Sequence, residues 1–378
     1  MTKRKLEELG IETSLLGFGC MRFPLTADGK IDRPEAEKML DKAISSGVNY
    51  IDTAYPYHGG ESEPFVGEAL KKYDRSTLYI ATKLPVWQVE TVADVDRIFA
   101  EQLERLQTDY IDFYLMHAMN KERWDKMLEI GCVTHLEELK AEGKIKYLGF
   151  SFHDSYEVFE EMIHYRDWDF CQIQLNYMDA NEQAGLKGYE LTAQKQVPLV
   201  IMEPVKGGSL AAFADDITDK FHALKPDASV ASFALRWVGS LPNVKVILSG
   251  MSTMEQVEDN LQTFADFEPL SQQEQDTVKE VVEILNSRVR NGCTGCSYCM
   301  PCPAGVNIPR SFKLWNTYHM YQNYNMVKNA WEKDMGDEHQ PKNCIECGKC
   351  ERECPQKLSI REDLKKVQAD LDKKEFVL

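Results

Sequence analysis

Eight of the chain's eleven cysteines fall after residue 292, in two runs, "CTGCSYCMPCP" and "CIECGKCERECP". Cys293, Cys296, Cys299 and Cys302 stand three apart; Cys344, Cys347 and Cys350 repeat that spacing before Cys354 and a proline. Thiols so close together bind metal or do redox chemistry, because a reducing compartment disfavours disulfides. The compartment is read as cytoplasmic. "MTKRKLEELG" is charged throughout, unlike a secretory leader, and no apolar run reaches the eighteen or so residues that a membrane crossing needs. Cys20, Cys132 and Cys171 lack partners at such spacing and read as small apolar residues.

A net charge of -17 excludes the lysine and arginine surplus that phosphate backbones require, so no nucleic-acid partner is expected. The 378 residues suffice for one large and one small domain, divided here as 1–285 and 286–378. Through the first of these, eight short apolar runs alternate with amphipathic stretches: "LLGFG", "VNYIDTA", "LYIATKL", "YIDFYLMH", "KYLGFSF", "FCQIQLNY", "PLVIMEP" and "VKVILSG". Each is nearly continuously apolar, as a strand buried on both faces must be. Eight βαβ units predict an α/β fold, a closed (β/α)8 TIM barrel. A doubly wound sheet would need a G-x-G-x-x-G turn, which "GFGCMR" does not complete.

In such a barrel the C-terminal strand ends carry the chemistry. Asp52 ends the second run, with Tyr57 five residues on; Lys83 ends the third and His117 the fourth. The stretches that hold them, "GVNYIDTAYPYHGGESEPFVGEAL", "IATK" and "LQTDYIDFYLMH", resemble the aldo-keto reductase family from residue 1 to about 285. "KLEELGIETSLLGFG" is similar to the hairpin that plugs the bottom of that family's barrel. The resemblance implies an oxidoreductase that moves hydride between NAD(P)H and a small-molecule aldehyde or ketone. Tyr57 would donate the proton, with its pKa lowered by Lys83. Asp52 would fix Lys83, and His117 would orient the carbonyl.

On the cofactor side, the resemblance implies that Ser151 and Gln174 hold the nicotinamide carboxamide. Met202 would cover the ring where many relatives place an aromatic, and the backbone of Gly207, Gly208, Ser209 and Leu210 would wrap the pyrophosphate. Phe152 stands where many relatives have asparagine. "SGMSTMEQVEDN" aligns with the segment that binds the 2′-phosphate of NADP, with Ser252, Thr253 and Gln256 able to hydrogen-bond and Asn260 set for adenine. It has no lysine or arginine, which leaves NADH and NADPH open and leans towards NADH.

The second cysteine run, C-x2-C-x2-C-x3-C-P, resembles two-cluster bacterial ferredoxins, in which the fourth cysteine of each run serves the other run's cluster. That resemblance implies two [4Fe-4S] clusters, one on Cys293, Cys296, Cys299 and Cys354, the other on Cys344, Cys347, Cys350 and Cys302. Zinc is the rival, but three evenly spaced cysteines plus a remote fourth suit a cubane better than separate pairs. Between the runs, Phe312, Trp315, Tyr318, Met320, Tyr324 and Met326 recur at helical spacing, which predicts an α-helical ferredoxin module. Hydride moves two electrons and a cluster one. The clusters therefore read as structural, as redox-sensing, or as exchanging electrons with an external donor or acceptor protein. The alternative for the whole is a nicotinamide-binding sensor with little turnover. His58, Trp87 and His153 are expected at the barrel mouth.

Overall fold

The computed structural model describes residues 1–376, which fall into two compact units, Met1–Gly207 with Ser232–Leu270 and Gly208–Ala231 with Ser271 onward. The first unit opens with an antiparallel hairpin, β1 (Lys3–Leu6) and β2 (Ile11–Ser14). Eight parallel strands then close into a barrel: β3 (Leu16–Gly19), β4 (Tyr50–Asp52), β5 (Tyr79–Leu84), β6 (Ile111–Met119), β7 (Ile145–Phe152), β8 (Cys171–Gln174), β9 (Leu199–Met202) and β10 (Val244–Ser249). Neighbours in sequence are neighbours in the barrel, and β10 pairs with β3 to close it. The (β/α)8 expectation holds.

The strands read as continuous apolar runs because each has two faces to bury. Inward-pointing Tyr50, Ala81, Phe113, Leu115, Phe170, Val200 and Val246 fill the interior, and Leu6 of the hairpin joins them from below. Outward-pointing residues meet the helices α1 (Arg33–Ser45), α2 (Ser62–Leu70), α3 (Val92–Leu106), α4 (Lys121–Glu129), α5 (Cys132–Ala141), α6 (Tyr156–Tyr165) and α7 (Gly185–Gln194). Local chemistry sets several starts. Thr91 and Asp94 form a reciprocal capping box on α3, and the Asn120 side chain accepts the Arg123 N–H on α4.

Four more helices follow in chain order, α8 (Asp215–His222), α9 (Val230–Gly239), α10 (Met254–Ala265) and α11 (Gln272–Ser287). By contact α11, which the sequence division at 285 cuts near its end, groups with the second unit. It packs on α8, Lys220 pairs with Glu280, and Arg288 pairs with Asp216. The rest of that unit is helical: α12 (Ile308–Tyr321), α13 (Asn325–Asn329), α14 (Lys349–Glu353) and α15 (Ile360–Lys373). Phe312, Trp315, Tyr318 and Tyr324 recur as expected, and they bury into this unit's own core with Leu364, Val367 and Leu371 of α15. Among the described residues no helix is long and apolar enough to cross a membrane.

Gly67 of α2 lies so close to α3 that a Cβ there would come 2.3 Å from the Arg105 carbonyl oxygen. Alanine normally favours a helix over glycine, by about 1 kcal/mol. Here the backbone contact should reverse that preference. Gly67→Ala is expected to destabilise the protein by about 1–3 kcal/mol, read as a lower urea midpoint.

Candidate functional site

Asp52, Lys83 and His117 all sit at C-terminal strand ends, so barrel closure brings them to one mouth. Lys83 Nζ donates to Asp52 Oδ1 at 2.7 Å and to the Thr53 carbonyl at 2.7 Å, with both side chains 3% exposed or less. Its third proton points to the Tyr57 hydroxyl at 3.5 Å. Burial opposes the charge on Lys83, yet Asp52 and Tyr57 together raise its pKa. Tyr57 lies in a turn (Tyr57–Gly60) whose His58 and Gly59 have φ of 52° and 65°. Its ring meets that of His117 edge-on, centroids 6.2 Å apart.

One expectation is corrected. Burial pushes the Tyr57 hydroxyl above its ordinary value, and Lys83 pulls it back only in part. Tyr57 therefore keeps its proton at neutral pH, as a donor must. Burial, reinforced by Lys83, lowers His117 to about 2, so its imidazole is neutral. Its Nδ1 is buried without a hydrogen-bond partner among the described residues. A neutral ring can donate to a carbonyl oxygen from only one nitrogen.

After His117 the β6–β7 register slips, and Ala118 takes a left-handed φ of 54°. A non-glycine residue pays about 1–3 kcal/mol for such a conformation. Two bonds hold it: the Ala118 N–H donates to Ser151 Oγ at 2.7 Å, and Arg123 Nη1 donates to the Ala118 carbonyl at 2.5 Å. Ser151 thus accepts from the backbone, and among the described residues its own O–H makes no hydrogen bond. Nothing in the spacing of "LMHAMN" announces this bulge. Trp87 and His153 lie at the mouth as expected, Trp87 5.1 Å from the His117 ring and His153 facing Gln183. The His58 ring lies 5.8 Å from that of Phe23.

The other cofactor candidates end neighbouring strands. Gln174 donates to Asp179 at 2.9 Å, and Asp179 also takes hydrogen bonds from Asn176 and Lys206, a buried group the sequence reading missed. Met202 ends β9, half-buried. Glu203, Lys206 and Gly207 follow it with positive φ. Gly208 is exposed, Ser209 half-buried and Leu210 buried. Ser252 and Gln256 already have protein partners, Ser252 Oγ donating to the Arg22 carbonyl and Gln256 accepting from the Ser252 N–H, while Thr253 caps α10. Asn260 is buried and donates to Ser249. Arg22, also missed, runs its stem along Gly250, and its guanidinium lies 3.7 Å from where a Gly207 Cβ would stand.

The eight late cysteines line two cavities in the second unit. Cys293, Cys296, Cys299 and Cys354 line one; Cys302, Cys344, Cys347 and Cys350 line the other, where Cys299 also reaches. The last cysteine of each run has crossed to the other run's cavity. Ile308 stands between them as a wall of both. The runs also share a backbone conformation. The residues on either side of the second cysteine are left-handed in both, Gly295 and Ser297 in one, Glu346 and Gly348 in the other.

A closed (β/α)8 barrel with an Asp, Tyr, Lys and His cluster at its mouth defines a class of oxidoreductase, and the comparisons agree. The aldo/keto reductase family model matches residues 15–283, and a 4Fe-4S dicluster domain matches 292–358. The chain belongs to the aldo/keto reductase family and carries an iron-sulfur domain at its C-terminal end. It is 28% identical to the Bacillus subtilis oxidoreductase YqkF over 69% of this chain and 90% of that one. It is 27% identical to the NADH-specific methylglyoxal reductase of Escherichia coli over 68% and 89%. Aldo-keto reductase AKR11C1 from Bacillus halodurans, in its holo form, superposes with a TM-score of 0.63 at 27% identity, over 74% of this chain and 96% of that one.

The neutrality of His117 has a cost in acid. The unfolded chain binds this proton below about pH 6.5 and the folded chain does not until about 2, so stability falls as pH falls between those values. The slope from this one group is at most about 1.4 kcal/mol per pH unit. Urea unfolding of His117→Asn is expected to show a shallower loss between pH 6.5 and pH 4.5 than the wild type.

Proposed function

We propose that the barrel reduces an aldehyde or ketone with NAD(P)H, Tyr57 giving the proton, and that the C-terminal unit holds two [4Fe-4S] clusters. The observation that carries the first part is the buried Lys83 ammonium bonded to Asp52 and directed at the Tyr57 hydroxyl. Bound NAD(P)H supplies the hydride that the carbonyl carbon takes. Tyr57 then meets the growing charge on the oxygen with its O–H. The nearby Lys83 stabilises the phenolate left behind, and Asp52 keeps Lys83 charged and in place. His117, neutral, orients the oxygen by a hydrogen bond without competing as an acid.

Ser151 and Gln174 hold the carboxamide, and Met202 lies against the ring. The turn from Gly207 to Leu210 receives the pyrophosphate, with Ser252, Gln256 and Asn260 towards the adenosine. Either nicotinamide cofactor is compatible with this set. The NADH-specific relative and the absence of lysine and arginine from the segment after β10 favour NADH, while Arg22 is a cation within reach of a phosphate.

For the second part, the crossed cysteine sets support one cluster on Cys293, Cys296, Cys299 and Cys354 and another on Cys344, Cys347, Cys350 and Cys302. Each cluster would pass electrons singly, so an external donor or acceptor protein is the natural exchange partner. Clustered cysteines reserved for metal rather than disulfides suit the reducing cytoplasm.

Anaerobic nicotinamide oxidation against a panel of aldehydes, ketones and quinones tests the barrel's role. Tyr57→Phe should lower turnover about a hundredfold or more while the cofactor dissociation constant barely moves. Wild-type turnover in that variant removes Tyr57 from the mechanism, and an inactive wild type that still binds nicotinamide points to a sensor.

Cys354→Ser tests the crossing. Iron should fall from about eight per chain towards about four, with loss of the cluster on Cys293, Cys296 and Cys299. Loss of the cluster on Cys344, Cys347 and Cys350 instead would mean sequential ligation. Stoichiometric zinc without absorbance near 400 nm would end the cluster reading.

A further inference from the structure

Arg123 stands in the first turn of α4, immediately after β6, the strand that carries His117. Its side chain is half-buried, one arm donating to the Ala118 carbonyl. The guanidinium carbon lies 5.2 Å from the centre of the Trp87 ring, which in turn lies 5.1 Å from the His117 ring. Tyr57, His117, Trp87 and Arg123 therefore form a continuous line along the rim of the mouth. Trp87 is 39% exposed, an unusual exposure for so large an apolar side chain in a barrel otherwise well filled.

The charges around Arg123 matter as much as its position. Arg75, Arg105 and Arg361 each hold a carboxylate, but among the described residues none lies within 4.0 Å of Arg123. On its own helix, Lys121 and Asp125 pair with each other, and Lys126 pairs with Glu90. Facing it are His117 and His153, both pushed towards the neutral form by burial first and by Arg123 as a further cause. Glu203 acts on the far neighbour, His153. The Arg123 guanidinium, half-buried in an acidic chain, thus has no counter-ion among the described residues and stands one ring away from the proposed catalytic histidine.

We infer that the substrate is a carbonyl compound bearing a carboxylate, bound by Arg123, with Trp87 covering the carbon skeleton between the carboxylate and the carbonyl. The inference rests on the reductase reading above and specifies its substrate class. The guanidinium matches a carboxylate with two parallel N–H groups, a geometry lysine cannot reproduce. A flat or short aliphatic spacer fits beside an indole face.

The full-length protein, purified anaerobically, is assayed with NADH on 4-carboxybenzaldehyde and 4-methylbenzaldehyde, which differ in charge and little in size. The wild type should prefer the carboxylate in kcat/KM by about ten- to a hundredfold. Arg123→Gln should collapse that ratio towards one, and Arg123→Lys should restore part of it. Equal loss for both aldehydes would mean that Arg123 only supports the Ala118 bulge, and no preference in the wild type would be equally fatal. A second measurement needs no turnover. Quenching of tryptophan fluorescence by 4-(hydroxymethyl)benzoate, compared with benzyl alcohol on NAD-loaded protein, should favour the benzoate in the wild type and lose that preference in Arg123→Gln. Failure of that binding preference overturns the inference. Failure of both aldehydes to react, with the preference intact, falls on the proposed reaction instead.

Discussion

A lysine ammonium with 1% of its side chain exposed must find its counter-charge inside the protein, and Lys83 finds it in Asp52. Removing either partner would strand a buried charge at a cost of about 3–5 kcal/mol, so the pair constrains everything near it. Strands β4 and β5 must be neighbours with Asp52 opposite Ala81, which carries the Lys83 side chain across to Asp52 and Thr53. The strand end is held from behind as well. Glu63, wholly buried on α2, accepts from Thr82 and Gln102, and Gln102 donates to the Lys83 carbonyl while Tyr114 donates to Gln102. A fully satisfied buried network of this kind rigidifies what it touches. That is why the close approach of α2 to α3 at Gly67 belongs to the site, although it lies outside it.

The same burial that demands the ion pair also sets the proton inventory. Desolvation keeps Tyr57 protonated and His117 neutral, so one group can give a proton and the other can only hydrogen-bond. Two side chains of similar reach are thus separated in role by environment, with Lys83 as the fixed charge between them.

The second unit solves a different problem with the opposite means. Its thiols are dispersed round two spaces, and left-handed residues on both sides of each run's second cysteine wind the chain about them. Gly295 and Gly348 adopt that conformation without strain, whereas Ser297 and Glu346 pay for it. The helices α12 and α15 supply the apolar packing that a small unit needs, with Ile308 and Phe312 doubling as cavity walls.

Much of this was legible in the residues alone. Eight apolar runs dictate eight buried strands, because a strand covered on both faces has no place for alternating polarity, and that count closes a barrel. Asp52, Lys83 and His117 could be picked out because barrel strand ends converge whatever the loops do. The cysteine spacing likewise restricts ligation before any fold is known. What the sequence could not decide depends on contacts between distant segments. The direction of the Tyr57 shift follows from how deeply the mouth buries it. The Ala118 bulge follows from a register slip between β6 and β7, and the meeting of Arg123 with Trp87 from where two loops settle. Arg22 comes beside Gly207 and Gly250 only once β3 lies against β10. The grouping of α11 with α8 needs both helices placed. Periodicity and spacing are local and survive in the string, whereas desolvation and unpaired charge are properties of the packed space around a residue.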